Sequence, residues 1–417
     1  MFFDVLFFIY ALAYLPYLLL TGRWYKGYGL RFGFFPPALK ARLAYASTIW
    51  IHAVSVGEVM AIAPLVTHMK FRWPAYTIVV TTTTKTGYQL AQSKMGESVV
   101  VIPSPLDFSA VASAFVRLIK PKIYIAVETE IWPNLFNCLS RHGIPIVIIN
   151  GRISDVSYGR YKAIKFLLKS ILEKVSLFCM QSRKDAGRIV ELGAPQDKVL
   201  SVGNIKFDDL SSNQESLPEN STPQNRLWWV VGSTHPGEEE IILNVFAKHK
   251  VSWSLVIAPR HVERAAEIVR LVEKRGLSAI KLSDSGWPRE GQDPLLGNSV
   301  VVVDTIGHLC SLYARASLVF VGKSLCVGGG HNIIEPAFYA KPIIIGPRME
   351  NFRDITALFK TQGALVQVKD SVEFEEQVKR LMMDEPLRTQ LGEKAYALVK
   401  ANQGASKRIL AMLEKWL

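Results

Sequence analysis

Cysteine is scarce in this chain, and so are the short motifs that mark several common chemistries. Four scattered cysteines (Cys138, Cys179, Cys310, Cys326) show neither metal-ligand spacing nor a disulfide framework, which agrees with a reducing compartment. No Asp-x-Asp triplet occurs, so the usual carboxylate clamp for a metal on a nucleotide diphosphate is absent. A Walker loop is lacking, and no Gly-x-Gly-x-x-Gly follows the first expected strand, which weighs against ATP phosphoryl transfer and nicotinamide chemistry. There is no Cys/His finger spacing, no aromatic RNP-type strand and no long basic helix, so no nucleic-acid partner is expected. Acidic residues are missing altogether between positions 5 and 50.

Hydrophobic residues, by contrast, make up 49% of the 417 positions, enough for a large core and two domains. Lysine and arginine (49) outnumber aspartate and glutamate (36), giving a formal net charge of +13. Such an excess favours an anionic partner, and a membrane surface fits best. Phe2 to Leu20 is almost wholly apolar, carries Asp4 as its one charge and is near bilayer-spanning length. No small-residue cleavage site follows it. Arg23, Lys26, Arg31, Lys40 and Arg42 come next, and the positive-inside rule then puts the body of the protein in the cytoplasm. Pro16 and the tyrosines Tyr10, Tyr14 and Tyr17 leave open a helix that dips into one leaflet, and a buried core helix is the plainer alternative.

Beyond this segment, short β-rich runs alternate with helical patterns. Strands are expected at Thr48–Ala53, Thr77–Thr82, Val99–Ile102, Ile123–Val127, Ile146–Asn150 and Leu177–Met180. A stretch rich in Ser, Asn, Pro and Gln interrupts the alternation, which restarts at Leu227–Gly232, Ser254–Ala258, Val300–Val303, Leu318–Val321, Pro342–Ile345 and Ala364–Val368. The pattern predicts an α/β protein with two doubly wound parallel sheets facing a central cleft. The expected divisions are a membrane anchor at 1–22, a first domain at 23–208, a linker at 209–226, a second domain at 227–398 and a C-terminal helix at 399–417 that packs back on the first domain.

Polar motifs cluster where the expected strands end. Gly322 to Ala337 reads Gly-Lys-Ser-Leu-Cys-Val-Gly-Gly-Gly-His-Asn-Ile-Ile-Glu-Pro-Ala. Three glycines followed by a helix start at His331 or Asn332 suggest backbone donors facing an anion, or simply a structural turn with a capped helix. Glu335, on the same helical face as Asn332, is placed to take ribose hydroxyls. In the first domain Glu58 falls in the first turn of a helix after Ala53, either as a general base for a hydroxyl or as an acid favoured by the helix dipole. Glu128 and Glu130 flank the end of Ile123–Val127, and Lys206 follows Gly203-Asn204-Ile205, where a cation offsets charge on a leaving phosphate. Arg260 is a natural phosphate clamp, and Gly307-His308-Leu309 can present backbone groups to a base edge.

In this order the motifs closely resemble those of the 3-deoxy-D-manno-octulosonic acid (Kdo) transferases. The matching words are His52-Ala53-Val54-Ser55-Val56-Gly57-Glu58, Glu128-Thr129-Glu130-Ile131-Trp132-Pro133-Asn134, Gly203-Asn204-Ile205-Lys206-Phe207-Asp208, Gly232-Ser233-Thr234-His235, Pro259-Arg260-His261, and Gly329-Gly330-His331-Asn332 through Glu335-Pro336. They span essentially the whole chain. The resemblance implies a GT-B glycosyltransferase at the cytoplasmic face of the bacterial inner membrane, held by a single N-terminal anchor. It implies CMP-Kdo as donor, lipid IVA as acceptor, and no metal or other cofactor. By the same resemblance Glu58 is the general base of an inverting transfer, and Glu128 and Lys206 stabilise the transition state. Pro259, Arg260, Gly307, His308, Leu309, Asn332, Ile333, Ile334 and Glu335 then contact the CMP of the donor.

The chain departs from the family at one place. The family usually has two glycines and a serine where this chain has Gly322-Lys323-Ser324, and a proline-containing approach where it has Leu325-Cys326-Val327. The residues alone leave two other readings: another membrane-associated GT-B enzyme using a UDP-sugar, or an anchored binding protein without catalysis. The presence of Glu58, Glu128 and Lys206 argues against the latter.

Overall fold

The computed structural model describes residues 3–5, 8, 28–208, 227–249, 253–285 and 299–417. The expected linker at 209–226 lies outside them, as does the expected anchor at 1–22 apart from residues 3–5 and 8. Among the described residues no helix is long and apolar enough to cross a membrane. The chain divides into two compact units, Met1–Asp209 with Gln403–Leu417, and Leu210–Asn402.

The first unit is built on a seven-stranded parallel sheet. Its strands are β1 (Thr48–His52), β2 (Thr77–Thr82), β3 (Val100–Pro103), β4 (Pro121–Val127), β5 (Ile146–Gly151), β6 (Leu177–Met180) and β7 (Val199–Ser201). They lie in the order β3-β2-β1-β4-β5-β6-β7. Every residue of β1 is buried, as a strand covered on both faces requires. Alternate side chains serve the two faces: Trp50 packs with Phe115 and Tyr124 on one, Ile49 and Ile51 with Ile123 and Ile125 on the other. The helix Ala405–Leu413 closes the second face through Ile409, Leu410 and Leu413. It is pinned at its start, where Asp208 accepts from the backbone N–H groups of Gly404 and Ser406, both at 2.6 Å, while Arg408 donates to the Val202 carbonyl.

The second unit repeats the architecture. Its strands are β8 (Leu227–Thr234), β9 (Trp253–Pro259), β10 (Ser278–Lys281), β11 (Ser299–Val302), β12 (Leu318–Val321), β13 (Ile343–Ile345) and β14 (Val366–Gln367), in the parallel order β10-β11-β9-β8-β12-β13-β14. Trp229, Val231, Phe320, Ile344 and Phe374 form the centre of its core.

Near the middle the order reverses direction between β1 and β4 in the first sheet and between β8 and β12 in the second. At such a switch point the loops leave the strand ends toward opposite faces and open a crevice, the usual binding place in doubly wound sheets.

Candidate active site

The crevice of the first sheet collects four of the residues singled out from the sequence. β1 ends at His52, and Ser55 caps the helix Val56–Arg72 by accepting from the Glu58 N–H. The cap folds the Glu58 side chain back rather than outward: Val54 N donates to Oε2 at 2.7 Å and Ser55 Oγ to Oε1 at 2.8 Å. Glu58 is only 6% exposed. Burial raises its pKa to about 7, reinforced by the charges of Glu128 and Glu130 and opposed by the Val54 and Ser55 hydrogen bonds. A carboxyl poised there exchanges a proton near neutral pH, as a general base must.

β4 delivers Glu128 at its end, in a left-handed conformation (φ 58°) with its N–H bonded to the Ile149 carbonyl at 2.9 Å. Such a conformation costs a side-chain-bearing residue about 1 kcal/mol and clusters at functional sites. Lys206 reaches it from the turn Ile205–Phe207, which Asn204 caps, and Lys206 Nζ lies 3.6 Å from Glu128 Oε1. Asn150 at the end of β5 fixes that turn by accepting from Ile205 N at 3.1 Å. Glu130 is held above its usual range by burial and by Glu128. Glu58, Glu128, Glu130 and Lys206 therefore form one interacting group, with three acids and a single cation. His52, the last residue of β1, is part of the scaffold: burial and the charge of Arg31 push its pKa down to about 3, and its ring bonds Thr81 at 2.9 Å.

In the second unit the switch point brings the turn after β8 against the turn after β12. Their approach needs Gly322, because a Cβ there would lie 2.5 Å from the Ser233 carbonyl oxygen and 2.7 Å from Thr234 Cα. Glu238 joins the two turns. Its buried carboxylate accepts from His235 N and Lys323 N on Oε2 and from Ser324 N and Leu325 N on Oε1, at 2.8–3.0 Å. Burial nonetheless raises its pKa, with those four donors opposing. Arg260 follows β9 with an exposed side chain, and its N–H donates to the Thr234 carbonyl at 3.0 Å. Gly307 takes φ 100° after β11 and leads into His308, which precedes the helix Leu309–Arg315.

The glycine run differs from the expectation in two respects. Its helix begins at Ile334, spans five residues and gives its Ile334 N–H to Asn332 Oδ1, so the helix dipole contributes little. Of the glycine donors, Gly329 N bonds Glu350 at 2.6 Å and Gly330 N bonds the Lys323 carbonyl at 2.8 Å. Asn332 does pair with Glu335, at 3.1 Å. Ile333 and Ile334 are buried at 0% and 1% exposure, which leaves only their main chain to meet a ligand.

Residues 26–209 match the family described as 3-Deoxy-D-manno-octulosonic-acid transferase (kdotransferase), and residues 292–398 match Glycosyl transferases group 1. The chain is 36% identical to the 3-deoxy-D-manno-octulosonic acid transferase of Haemophilus influenzae, across 88% of its own length and 87% of the relative's. Against the enzyme of the same name from Chlamydia muridarum, identity is 32% over 92% of this chain and 89% of that one. The chain belongs to the 3-deoxy-D-manno-octulosonic acid transferase family. It is a glycosyltransferase by that membership. The solved MurG of Acinetobacter baumannii superimposes with a TM-score of 0.58, at 11% identity over 89% of this chain and 99% of that one. That likeness shows the fold alone: two Rossmann-like units of the GT-B kind.

Several residues that structure the candidate site were not singled out from the sequence. Glu238 reads from sequence as an ordinary acid at a helix start, and its role appears only when β12 is placed beside β8. His235 and His331 were parts of motifs without a part of their own, yet their Nε2 atoms lie 3.2 Å apart with the rings stacked. Glu350 comes from the turn after β13, a stretch with no motif to flag it.

Proposed function

We propose that the chain moves Kdo from CMP-Kdo to lipid IVA, the lipid A precursor, with inversion, in lipopolysaccharide core biosynthesis. The observation that supports this most is Glu58, a carboxyl with a pKa of about 7 at a sheet switch point, in a member of the Kdo transferase family. Ionised Glu58 takes the proton of an acceptor hydroxyl as that oxygen bonds the anomeric carbon. The bond from this carbon to the phosphate oxygen breaks on the opposite side, and its electron pair leaves with CMP. Glu128 offsets positive charge building on the sugar, and Lys206 offsets negative charge on the departing phosphate. Pro259, Arg260, Gly307, His308, Leu309 and the Asn332–Glu335 stretch hold the nucleotide, with Glu335 on the ribose and Arg260 on the phosphate. In this reading the transfer needs no metal. Residues 1–22 anchor the protein to the cytoplasmic face of the inner membrane, a reading supported by their apolar composition and the cations that follow.

The test is transfer by the purified full-length chain. Incubation with CMP-Kdo and lipid IVA should add the mass of Kdo to the lipid, and Glu58→Gln should abolish the gain. No gain with CMP-Kdo, together with transfer from a UDP-sugar, would replace this reading with the UDP-sugar enzyme.

A further inference from the structure

Lys323 stands where the chain departs from its family, and its surroundings are unusual. It adopts a left-handed backbone, φ 58°, a conformation that glycine takes freely and lysine does not. Both its backbone groups are committed, N–H to Glu238 at 2.8 Å and C=O to Gly330 N–H at 2.8 Å, so the direction of its side chain is set by the fold. That side chain lies over Gly329, where a Cβ would come within 3.3 Å of Lys323 Cε and 3.5 Å of Nζ. Gly329 thus keeps open the space that the ammonium occupies. Among the described residues no carboxylate pairs with that ammonium.

Its neighbours are three imidazoles, each with ring N–H groups to offer. His235 and His331 stack with ring centroids 5.5 Å apart, and His261 meets His235 edge-on at 5.8 Å. Burial, then the charges of Arg260, His235, Lys323 and His261, press the His331 pKa down to about 4. Burial and then Lys323 and His261 lower that of His235, while Glu239 works the other way. Glu239 is itself engaged by Arg264 at 2.7 Å. A strained lysine and three imidazoles make a receptor for an anion, while the Glu350 carboxylate beside Gly329 is taken up by the Gly329 N–H at 2.6 Å.

We propose that Lys323 is a donor-binding residue, whose ammonium, together with His235 and His331, holds an anionic group of the nucleotide sugar. The proposal rests on the donor reading above. CMP-Kdo carries two such groups, the phosphate and the sugar carboxylate, and either would satisfy the same chemistry.

The test compares full-length wild type, Lys323→Gly and Lys323→Arg by calorimetric titration with CMP and with CMP-Kdo. Lys323→Gly should weaken binding roughly tenfold, the scale of one charge-assisted contact. Its melting temperature should hold or rise, because glycine relieves the left-handed strain. Lys323→Arg should recover most of the affinity. Loss with both ligands assigns the phosphate, and loss with CMP-Kdo alone assigns the carboxylate. Unchanged affinity for both overturns the proposal. A wild type that prefers UMP to CMP would overturn the donor reading instead, and the same comparison run with UMP would still decide the role of Lys323.

Discussion

Glu58→Gln separates the cost of the proposed base from its use. The carboxyl's pKa rises from an ordinary 4.5 to about 7 on folding. The native state therefore holds this proton more tightly than the unfolded chain does, so the carboxyl's contribution is fully favourable below pH 4.5. It is lost as pH climbs through about 7, where folding must bury an ionised group. At 1.36 kcal/mol per unit, the penalty reaches about 3 kcal/mol at pH 8 and is under about 1 kcal/mol at pH 5. Glutamine is nearly isosteric, and its carbonyl can still accept from Val54 N while its amide donates to Ser55 Oγ. The substitution's effect on packing is thus common to both pH values. Urea unfolding of wild type and variant at pH 5 and 8 should show the variant gaining about 2–3 kcal/mol relative to wild type between the two. The same variant should lose about 100- to 10,000-fold in kcat, the range for removing a general base. The wild-type kcat/KM should rise as pH passes through about 7. A stability difference that does not change with pH would refute the burial argument, and retained transfer would refute the role of the base.

Three further outcomes follow from the same geometry. Lys206→Ala should lower kcat by about 100-fold with little change in donor KM, because the cation is needed most when the phosphate leaves; steady-state kinetics would show a raised KM with kcat unchanged if it only bound substrate. Glu238→Ala should destabilise the protein by about 3–5 kcal/mol, since it strands four backbone N–H donors in a buried turn, and a denaturant midpoint close to wild type would show that water replaces the carboxylate. Transfer should continue unchanged after exhaustive treatment with EDTA; activity that falls and returns with added Mg²⁺ would contradict the metal-free reading.

The central strands were legible because a strand buried on both faces is a near-continuous apolar run, as in Trp229–Val231 or Ile123–Val127. The sequence reading left out β7 and β10, for the same reason in reverse. Both are edge strands with mostly unburied residues, Val199–Ser201 and Ser278–Lys281, and neither carries an apolar run long enough to register. The helix after the glycine run starts later than its residues suggest, because Asn332 spends its side chain on a turn before any helical bond forms. Candidate residues near a strand end, such as Glu58, Glu128 and Lys206, could be picked out from local context. Glu238 could not, since its meaning depends on partners more than 80 positions away. The fold-back of Glu58 onto its own N-cap was equally hidden, although Ser55 three residues before it is the usual sign of a cap.

The most direct measurement is the mass of lipid A precursor from cells that lack their own Kdo transferase and express this chain. The wild-type chain should add one or more Kdo residues to the lipid, and Glu58→Gln, expressed to the same level, should leave it unmodified. Unmodified lipid in the wild-type strain, or equal modification in both, would contradict the account.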